Sequence, residues 1–310
     1  MKKTALALLL VLMLSVSLLY GLSIHSVEAD ATATIYIRAD GTVEETDKIQ
    51  RVGDVYTFTA DIYDSIVVER DNVVLNGAGY RLKGDGNENG ITLSDISNNT
   101  VKNLKLSSFN IGIVVMGSDN NKILENTITD NFRGLDLTAS ENNTVSGNYI
   151  ANNNDGIALE NMYNNIIENT ITNNTNIGIF LNGAGYNNII GNNITNNGRG
   201  ISVYICDNNT IHHNNFVNNT NHVETDDSIN TWNNDSEGNY WSGYNGTDAD
   251  SDGIGDTPYI IDENNQDNYP LMTEFIIPEF PSWTVMLVIL TLLAVAVAIY
   301  KRRLLKTPIR

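Results

Sequence analysis

Glycine recurs at a fixed interval of 22 residues through the middle of this chain. An apolar, variable, apolar triplet follows each of these glycines. This alternation has period two, which is typical of a short strand with one buried face. A strand this short cannot bury that face alone, so the repeats must stack on one another. The six glycines are Gly90, Gly112, Gly134, Gly156, Gly178 and Gly200.

Two further features recur in step with the glycines. An Asn-Asn pair starts at positions 98, 120, 142, 164, 187 and 208, and an aliphatic residue after each pair is expected to point inward. These residues are Val101, Ile123, Val145, Ile167, Ile190 and Ile211. A third inward column is predicted at Ile128, Ile150, Ile171, Ile194 and Phe216. Each repeat therefore carries three short strand signals, separated by Asn and Gly turns.

This organisation predicts an all-β fold, a right-handed, single-stranded parallel β-helix with coils of 22 residues. Stacking pairs each strand with its counterpart in the next coil, about 4.8 Å away. The turn asparagines are expected to form amide ladders from coil to coil, and the recurrent glycine to provide a bend. A leucine-rich horseshoe has a similar period, but this chain prefers Ile and Val and lacks segments of helical periodicity.

The chain divides into a strand and cap region at residues 30–70, coils over residues 71–230, and a C-terminal cap at residues 231–276. The first region and the last must shield the ends of the apolar core, because terminal repeats have no further neighbour.

The repeat also carries a family resemblance. The pattern Asn-Asn-x-Ile-x-x-Asn-x-Ile, followed by Gly-Ile-x-Leu, resembles the β-helix repeats of archaeal NosD-like proteins over residues 60–221. Residues 35–80 are similar to the N-terminal part of these proteins, and residues 238–244 and 267–271 to the segment that closes their β-helix. The resemblance implies a pectin-lyase-like solenoid. It leaves function open, because such repeats occur in sugar-binding proteins, polysaccharide-cleaving enzymes and a periplasmic copper-site maturation factor.

Both ends of the chain predict export and anchoring. Residues 1–29 combine a basic start, an apolar run and small residues at a cleavage position, which is typical of a signal peptide; an uncleaved anchor is the alternative. Residues 283–300 are uncharged and long enough to span a membrane, and the basic tail at 301–310 is expected in the cytoplasm. The body should therefore lie outside the cell, at its surface.

The segment at residues 277–282, just before the predicted span, contains Pro278-Glu279-Phe280. Together with the apolar helix and basic tail it resembles the PEF-type sorting signal of archaeal surface proteins. That resemblance implies processing by a sortase-like membrane enzyme, whereas the alternative is a plain transmembrane anchor with a Pro-rich stalk.

The region between residues 31 and 277 is strongly acidic, with 34 Asp and Glu against 11 Lys and Arg. Such a field repels nucleic acid and argues against it as a partner. Cys206 is the only cysteine, so no intramolecular disulfide can form. Eight Asn-x-Ser/Thr sequences, from Asn98 to Asn245, are candidate glycosylation sites, although an Asn-rich repeat also creates such sequences by chance.

The sharpest local pattern is an acidic loop in the C-terminal cap. Alternate carboxylates followed by glycine match the first half of an EF-hand-like loop, which predicts Ca²⁺ binding; a solvated acidic turn is the alternative. Tyr259 stands where a complete EF-hand has its last Glu, so a full EF-hand is excluded. The predicted ligands are Asp248, Asp250, Asp252, Ile254 and Asp256.

Copper would require His, Cys or Met ligands. The candidates are His212, His213 and His222. His212 and His213 are adjacent and would point to opposite faces of a strand. We therefore do not expect a copper site and interpret these histidines as polar turn residues that replace Asn.

One outer face of the coils combines charged and aromatic residues that could contact a sugar polymer. Its residues are Arg133, Asp136, Asp155, Glu160, Phe180, Arg199 and Tyr204. Aromatic rings stack on sugars. Asp136, Asp155 and Glu160 are the catalytic candidates, since hydrolases of this fold use paired carboxylates. Asp136 is expected to be the only carboxylate in its column, so no repeated acidic dyad is predicted.

These observations favour a non-catalytic surface protein that binds or organises extracellular carbohydrate or forms part of the envelope. A polysaccharide lyase or hydrolase is the first alternative. A NosD-like copper-handling factor is the second.

Overall fold

The computed structural model describes residues 34–277, and every regular element in that range is a strand. The predicted signal peptide, transmembrane span and basic tail lie outside the described residues. Residues 278–282 of the predicted sorting segment also lie outside them. No helix within the described range is long and apolar enough to cross a membrane. The strands are β1 Thr34–Ile37, β2 Val43–Glu44, β3 Ile49–Val52, β4 Val55–Phe58, β5 Ser65–Val68, β6 Val74–Asn76, β7 Arg81–Lys83, β8 Asn89–Ser94, β9 Thr100–Lys102, β10 Lys105–Ser107, β11 Ile111–Met116, β12 Lys122–Leu124, β13 Thr127–Thr129, β14 Arg133–Thr138, β15 Thr144–Ser146, β16 Tyr149–Ala151, β17 Asp155–Glu160, β18 Asn165–Ile167, β19 Thr170–Thr172, β20 Ile177–Asn182, β21 Asn188–Ile190, β22 Asn193–Thr195, β23 Arg199–Tyr204, β24 Thr210–His212, β25 Asn215–Val217, β26 Asn221–Asp226, β27 Tyr240–Trp241, β28 Tyr259–Ile260 and β29 Gln266–Asp267.

The strands form a parallel β-helix of three long sheets. Sheet 1 has the order β2-β1-β5-β8-β11-β14-β17-β20-β23-β26. Sheet 2 has the order β24-β21-β18-β15-β12-β9-β6-β4-β3, and sheet 3 the order β27-β25-β22-β19-β16-β13-β10-β7. From β5 to β23, each strand pairs with the strand three places further along the chain, as the repeat predicts. The β-helix fold expected from the sequence is thus confirmed.

The interior consists of aliphatic columns. In sheet 1 the recurrent triplet stacks in register, with Ile113 beside Leu135 and Val115 beside Leu137, and all four side chains are fully buried. The predicted third column is also buried, since Ile128, Ile150, Ile171, Ile194 and Phe216 are all inaccessible to solvent. Parallel stacking already begins where β1 pairs with β5, so the coils extend into residues 34–70.

The prediction was wrong for two residues of sheet 2 that were expected to point inward. Ile166 and Ile189 are buried in the core, whereas Ile167 and Ile190 are only half-buried on the outer face. The cause is a change of coil length in this part of the molecule. The hydrogen-bonded corner asparagines are 21 residues apart between Asn143 and Asn164, then 23 residues apart in the next coil. Because side chains alternate, a one-residue shift exchanges the inner and outer faces.

Three columns of buried asparagine line the corners of the β-helix. In each column the amide oxygen of one coil accepts the backbone N–H of the preceding coil, for example Asn148 N to Asn169 Oδ1 at 3.0 Å. The side-chain nitrogens donate to carbonyls of earlier residues and to the next amide. The columns are Asn99, Asn121, Asn143, Asn164, Asn187, Asn209 and Asn230; Asn126, Asn148, Asn169, Asn192, Asn214 and Asn239; and Asn131, Asn153, Asn174, Asn197 and Asn219. The predicted amide ladders are confirmed.

The recurrent glycines lie within the strands of sheet 1, and their role differs from the predicted bend. A β-carbon at Gly156 would lie 2.4 Å from the carbonyl oxygen of Gly178 in the next coil. It would also meet the Asn174 amide of the corner ladder. These positions therefore require glycine because two backbones approach closely there.

Aromatic side chains close the C-terminal end of the core. The rings of Phe216, Trp241 and Tyr259 stack in sequence, with centroid distances of 4.4 and 4.3 Å. Asp267 ends one asparagine ladder, where its carboxylate accepts hydrogen bonds from Asn239 N and Trp241 Nε1. Burial raises the pKa of the Asp267 carboxyl group. The cap thus covers apolar side chains and also satisfies the last ladder donors.

Candidate functional site

The outer face of sheet 1 presents three columns of side chains. The first contains Asn89, Ile111, Arg133, Asp155, Ile177, Arg199 and Asn221; the second Thr92, Val114, Asp136, Ala158, Phe180, Ser202 and Glu224; and the third Ser94, Met116, Thr138, Glu160, Asn182, Tyr204 and Asp226. The second column continues to Glu224, which pairs with Ser202. The expectation that Asp136 is the only carboxylate of its column was therefore wrong.

Arg133 connects two carboxylates of this face. Its Nη1 donates to Asp136 Oδ2 at 2.5 Å, and its Nη2 lies 3.9 Å from Asp155 Oδ2. Thr138 Oγ1 donates to the second Asp136 oxygen at 2.6 Å. Asp136 and Asp155 are only 8% and 9% exposed, so the guanidinium compensates charges that are largely withdrawn from water.

A second set of contacts extends this cluster along the β-helix. Asn176 donates from Nδ2 to Asp155 Oδ1 at 2.8 Å and accepts Arg199 Nη1 at 3.0 Å. Arg199 Nε also lies 2.8 Å from Glu224 Oε2, which accepts the Ser202 hydroxyl at 3.1 Å. A continuous polar chain therefore runs from Asp136 to Glu224 across successive coils. We call these linked side chains the polar chain of sheet 1.

The remaining predicted face residues border this polar chain. Phe180 is half-buried between Ala158 and Ser202, its neighbours in the same column. Ala158 faces outward but is fully buried, since larger side chains surround it. Glu160 is exposed in the third column, and Tyr204 is 41% exposed in the same column two coils further on. The face thus combines an aromatic ring with ordered charges, and Glu160 and Tyr204 lie along one margin.

In the polar chain, the carboxylates are paired with arginines, and hydrogen bonds fix the positions of the arginine donors. Each of its carboxylates has an arginine partner, so Asp136 and Asp155 already accept hydrogen bonds from protein groups. Fixed donors and acceptors beside an aromatic ring suit recognition of hydroxyl groups and sugar rings. Both oxygens of Asp136 accept hydrogen bonds from protein groups, one from Arg133 and one from Thr138.

Sequence reasoning missed two members of the polar chain. Glu224 follows Ser202 by 22 residues, so extending the predicted column by one coil identifies it. Asn176 lies in a coil of 23 residues, one longer than the regular repeat, and regular spacing does not point to it. Its role became visible only from the side-chain contacts with Asp155 and Arg199.

The acidic loop of the C-terminal cap brings together three of its predicted ligands. Carboxylate oxygens of Asp248, Asp250 and Asp252 lie within 4.8 Å of one another. Asp248 also accepts hydrogen bonds from the backbone N–H groups of Asp252 and Gly253. Asp256 instead accepts the Thr247 hydroxyl, at 2.9 Å. Calcium binding by Asp248, Asp250, Asp252, Ile254 and Asp256 stays a prediction.

The three candidate histidines, His212, His213 and His222, lie in two separate environments. His212 Nδ1 and His213 Nδ1 lie 3.1 Å apart, because His213 has a positive φ of 57° and turns out of the strand. The expectation that these two rings point to opposite faces was therefore wrong. His222 lies against Trp241, and burial lowers the pKa of its imidazole.

The histidine pair does not by itself fit a copper centre. His213 Nε2 contacts Glu237 Oε2 at 2.7 Å, and the ring of Phe275 stacks on His213. Within residues 34–277, the one group of three or more His, Cys, Asp or Glu side chains with converging ligand atoms is the acidic loop. Two nitrogens supply fewer ligands than the square-planar or trigonal His and Cys sites that hold Cu(II).

Two solved structures with low sequence identity are similar to part of this chain. The periplasmic alginate epimerase AlgG has 15% sequence identity and a TM-score of 0.46, over 66% of this chain and 70% of that chain. The pectate lyase Pel9A has 15% identity and a TM-score of 0.38, over 63% of this chain and 60% of that chain. No curated protein sequence gives a significant match.

A family model provides the closer assignment. The model described as periplasmic copper-binding protein (NosD) matches residues 50–246, which include nearly all coils and the start of the C-terminal cap. The same range carries the repeat pattern and the three asparagine ladders. This chain therefore belongs to the NosD family of β-helix proteins.

Proposed function

We propose that this chain is an exported surface protein that binds extracellular carbohydrate on the outer face of sheet 1 and leaves the polymer intact. The family description as periplasmic accords with export, which the N-terminal sequence also predicts. Membrane anchoring through residues 283–300, processing at 277–282 and contacts with other envelope components belong to the same proposal.

The observation that carries this proposal is the polar chain of sheet 1 beside Phe180. Arg133 and Arg199 are held by carboxylates and by Asn176, so few rotamers must be fixed when a ligand binds. Charged groups donate and accept the strongest hydrogen bonds, and sugar hydroxyls can do both. Phe180 adds an apolar surface for the C–H groups of a sugar ring.

A polysaccharide lyase or hydrolase is the alternative from a different class. It would require Asp136, Asp155 or Glu160 to act on substrate. Asp136 and Asp155 are withdrawn from solvent and engaged by Arg133. Glu160 is exposed, but it lies in a different column from both aspartates. These contacts favour carbohydrate binding over a lyase or hydrolase activity.

Affinity electrophoresis of the purified full chain tests the proposal. Gels contain no polymer, neutral polymers or polygalacturonate, and migration is compared for the parent chain and the Phe180→Ala variant. Alanine already occupies this column at position 158, so the substitution suits the backbone. We expect a polymer to retard the parent chain and Phe180→Ala to weaken that retardation.

Tyr149→Thr is the matched control. Tyr149 is 44% exposed on sheet 3, and its neighbours in the same column are Thr127 and Thr170. The Tyr149→Thr variant lacks an exposed ring on a different face. The polymer should therefore retard this variant as strongly as it retards the parent chain. Equal losses in both variants, or retardation by no polymer, would contradict the proposed binding face.

A further inference from the structure

The corner between sheets 1 and 2 repeats an unusual backbone conformation in six successive coils. The residue just before each of the six ladder asparagines from Asn99 to Asn209 has a positive φ. These residues are Asn98 (61°), Asn120 (58°), Asn142 (57°), Tyr163 (60°), Tyr186 (57°) and Asn208 (63°). Four coils use asparagine here, and two adjacent coils use tyrosine.

Tyrosine is a poor choice for this backbone position. Asparagine visits the left-handed region readily, because its short amide bonds to the local backbone, whereas a bulky residue has a less favourable fit. Burial does not explain the tyrosines, since Tyr163 is 47% exposed and Tyr186 50% exposed. A positive φ also precedes the ladder asparagines at the other two corners, for example at Glu125 and Asn173, so this backbone conformation belongs to the coil itself. What distinguishes this corner is that two adjacent coils place exposed aromatic rings there, which neither the turn nor the core requires.

The two rings form an ordered stack. Their centroids lie 5.4 Å apart with an interplanar angle of 21°. The same position in the coils on either side is occupied by the shorter Asn142 and Asn208. About half of each ring is exposed, and the shorter neighbours leave room for a flat apolar surface against each tyrosine.

Other exposed apolar side chains continue this surface. Met162 is 38% exposed beside the stack, and Ile205 is 65% exposed in the coil after Tyr186. We call Met162, Tyr163, Tyr186 and Ile205 the corner ridge. The ridge borders the third column of sheet 1, whose Tyr204 immediately precedes Ile205. The ridge therefore lies in the turns that directly follow the strands of the proposed binding face.

The negative charge of this corner favours one class of ligand over another. The turn segments 160–164, 182–187 and 204–208 contain Glu160 and Asp207 but no Lys or Arg. An anionic polymer would be repelled here, because no cation offsets these carboxylates. A neutral polysaccharide carries no such penalty. It offers hydroxyl donors to the carboxylates and flat C–H surfaces to the rings.

We propose that the Tyr163–Tyr186 stack is a subsite for a neutral polysaccharide, whose sugar rings pack on the outer faces of the two tyrosines. The subsite rests on the proposed carbohydrate-binding function and specifies its ligand class. The left-handed tyrosines are then maintained for ligand contact, and the remaining coils keep asparagine for the turn alone.

The test uses the purified full chain in affinity electrophoresis with hydroxyethylcellulose, galactomannan and soluble starch as neutral probes. Polygalacturonate is the anionic probe. The variants are Tyr163→Asn, Tyr186→Asn and the double substitution, which install the residue that four native coils carry at this position. At least one neutral polymer should retard the parent, and the double variant should bind roughly tenfold more weakly. Tyr186→Phe retains the ring and should retain binding.

The outcomes separate the two proposals. Binding kept in the double variant but lost in Phe180→Ala would overturn the ridge subsite and leave the proposed function standing. Retardation by polygalacturonate alone would also overturn the subsite. Retardation of the parent by no probe would overturn both. Circular dichroism and thermal unfolding of each variant identify any loss of binding that comes from misfolding, in which case the Tyr186→Phe comparison decides.

Discussion

Replacing one ladder asparagine should destabilise this protein far more than replacing an asparagine on its surface. Asn169 is fully buried in the ladder between sheets 2 and 3. Its Oδ1 accepts Asn148 N and Nδ2, both at 3.0 Å. Its Nδ2 donates to Val145 O at 2.9 Å and to Ile167 O at 3.1 Å. Asn169→Ala removes these contacts while leaving the backbone in place.

The expected cost follows from the groups left behind. The Asn148 N–H loses its partner in a buried corner, which costs about 1–3 kcal/mol. The Val145 carbonyl loses its donor from Asn169, and the removed amide leaves a void that adds to the penalty. We expect a loss of about 3–5 kcal/mol in the free energy of unfolding, because several unsatisfied groups combine.

Urea unfolding followed by circular dichroism measures this loss, with Asn165→Thr as the matched control. Asn165 lies on the outer face of sheet 2, in a column that contains Thr100, Thr144 and Thr210. The control should change stability by less than about 0.5 kcal/mol. Equal unfolding midpoints for Asn169→Ala and the control would refute the view that the ladders stabilise the fold.

Four further predictions concern other parts of the structure. Cys206→Ser should preserve stability, because a serine hydroxyl can accept the hydrogen bond that Ala184 N donates to Cys206 Sγ, as Ser228 Oγ does for Cys206 N in the next coil; urea midpoints check this. Burial raises the pKa of the Cys206 thiol, so thiol titration should find it unreactive in the folded parent. Gly156→Ala should cost about 1–3 kcal/mol by urea unfolding, since its new methyl group meets backbone of the next coil. Calcium should raise the thermal midpoint of the parent, and the Asp250→Asn variant should show a smaller rise in calorimetry. Burial lowers the pKa of the His222 imidazole, so the unfolded chain binds the proton more tightly than the folded chain. The free energy of unfolding should therefore fall as the pH drops below about 6.5. His222→Gln should reduce that fall, which unfolding curves between pH 7 and 5 measure.

The fold followed from the sequence because its signals repeat. A glycine every 22 residues, paired asparagines and alternating aliphatics all specify the same coil, and each additional coil repeats the evidence. The amide ladders followed for the same reason. A single coil read alone would not distinguish a strand from a polar loop.

The local errors arose where one coil departs from the average. The coil containing Asn164 is one residue shorter, and the pairing rule then selected Ile167 although Ile166 is the buried residue. The Asn-Asn pair itself gave no warning, because either asparagine of a pair can occupy the ladder. Backbone register depends on hydrogen bonds between coils, which a linear pattern does not contain.

The candidate face was found only in part because its contacts cross coils. Arg133 and Asp136 are three residues apart, and the sequence places both on one strand. Asn176 contacts Arg199 across 23 residues, and this distance is set by the longer coil. The histidine pair was misjudged because His213 leaves the strand through a positive φ that its sequence does not reveal.

The central claim is that the outer face of sheet 1 binds a polysaccharide without cleaving it. Size-exclusion chromatography of the full chain after prolonged incubation with each polymer tests this claim most directly, because it records both co-elution and polymer length. The account predicts that a neutral polymer co-elutes with the parent chain at unchanged length and no longer co-elutes with Phe180→Ala. Shortened polymer, or equal co-elution with the parent and Phe180→Ala, would contradict it.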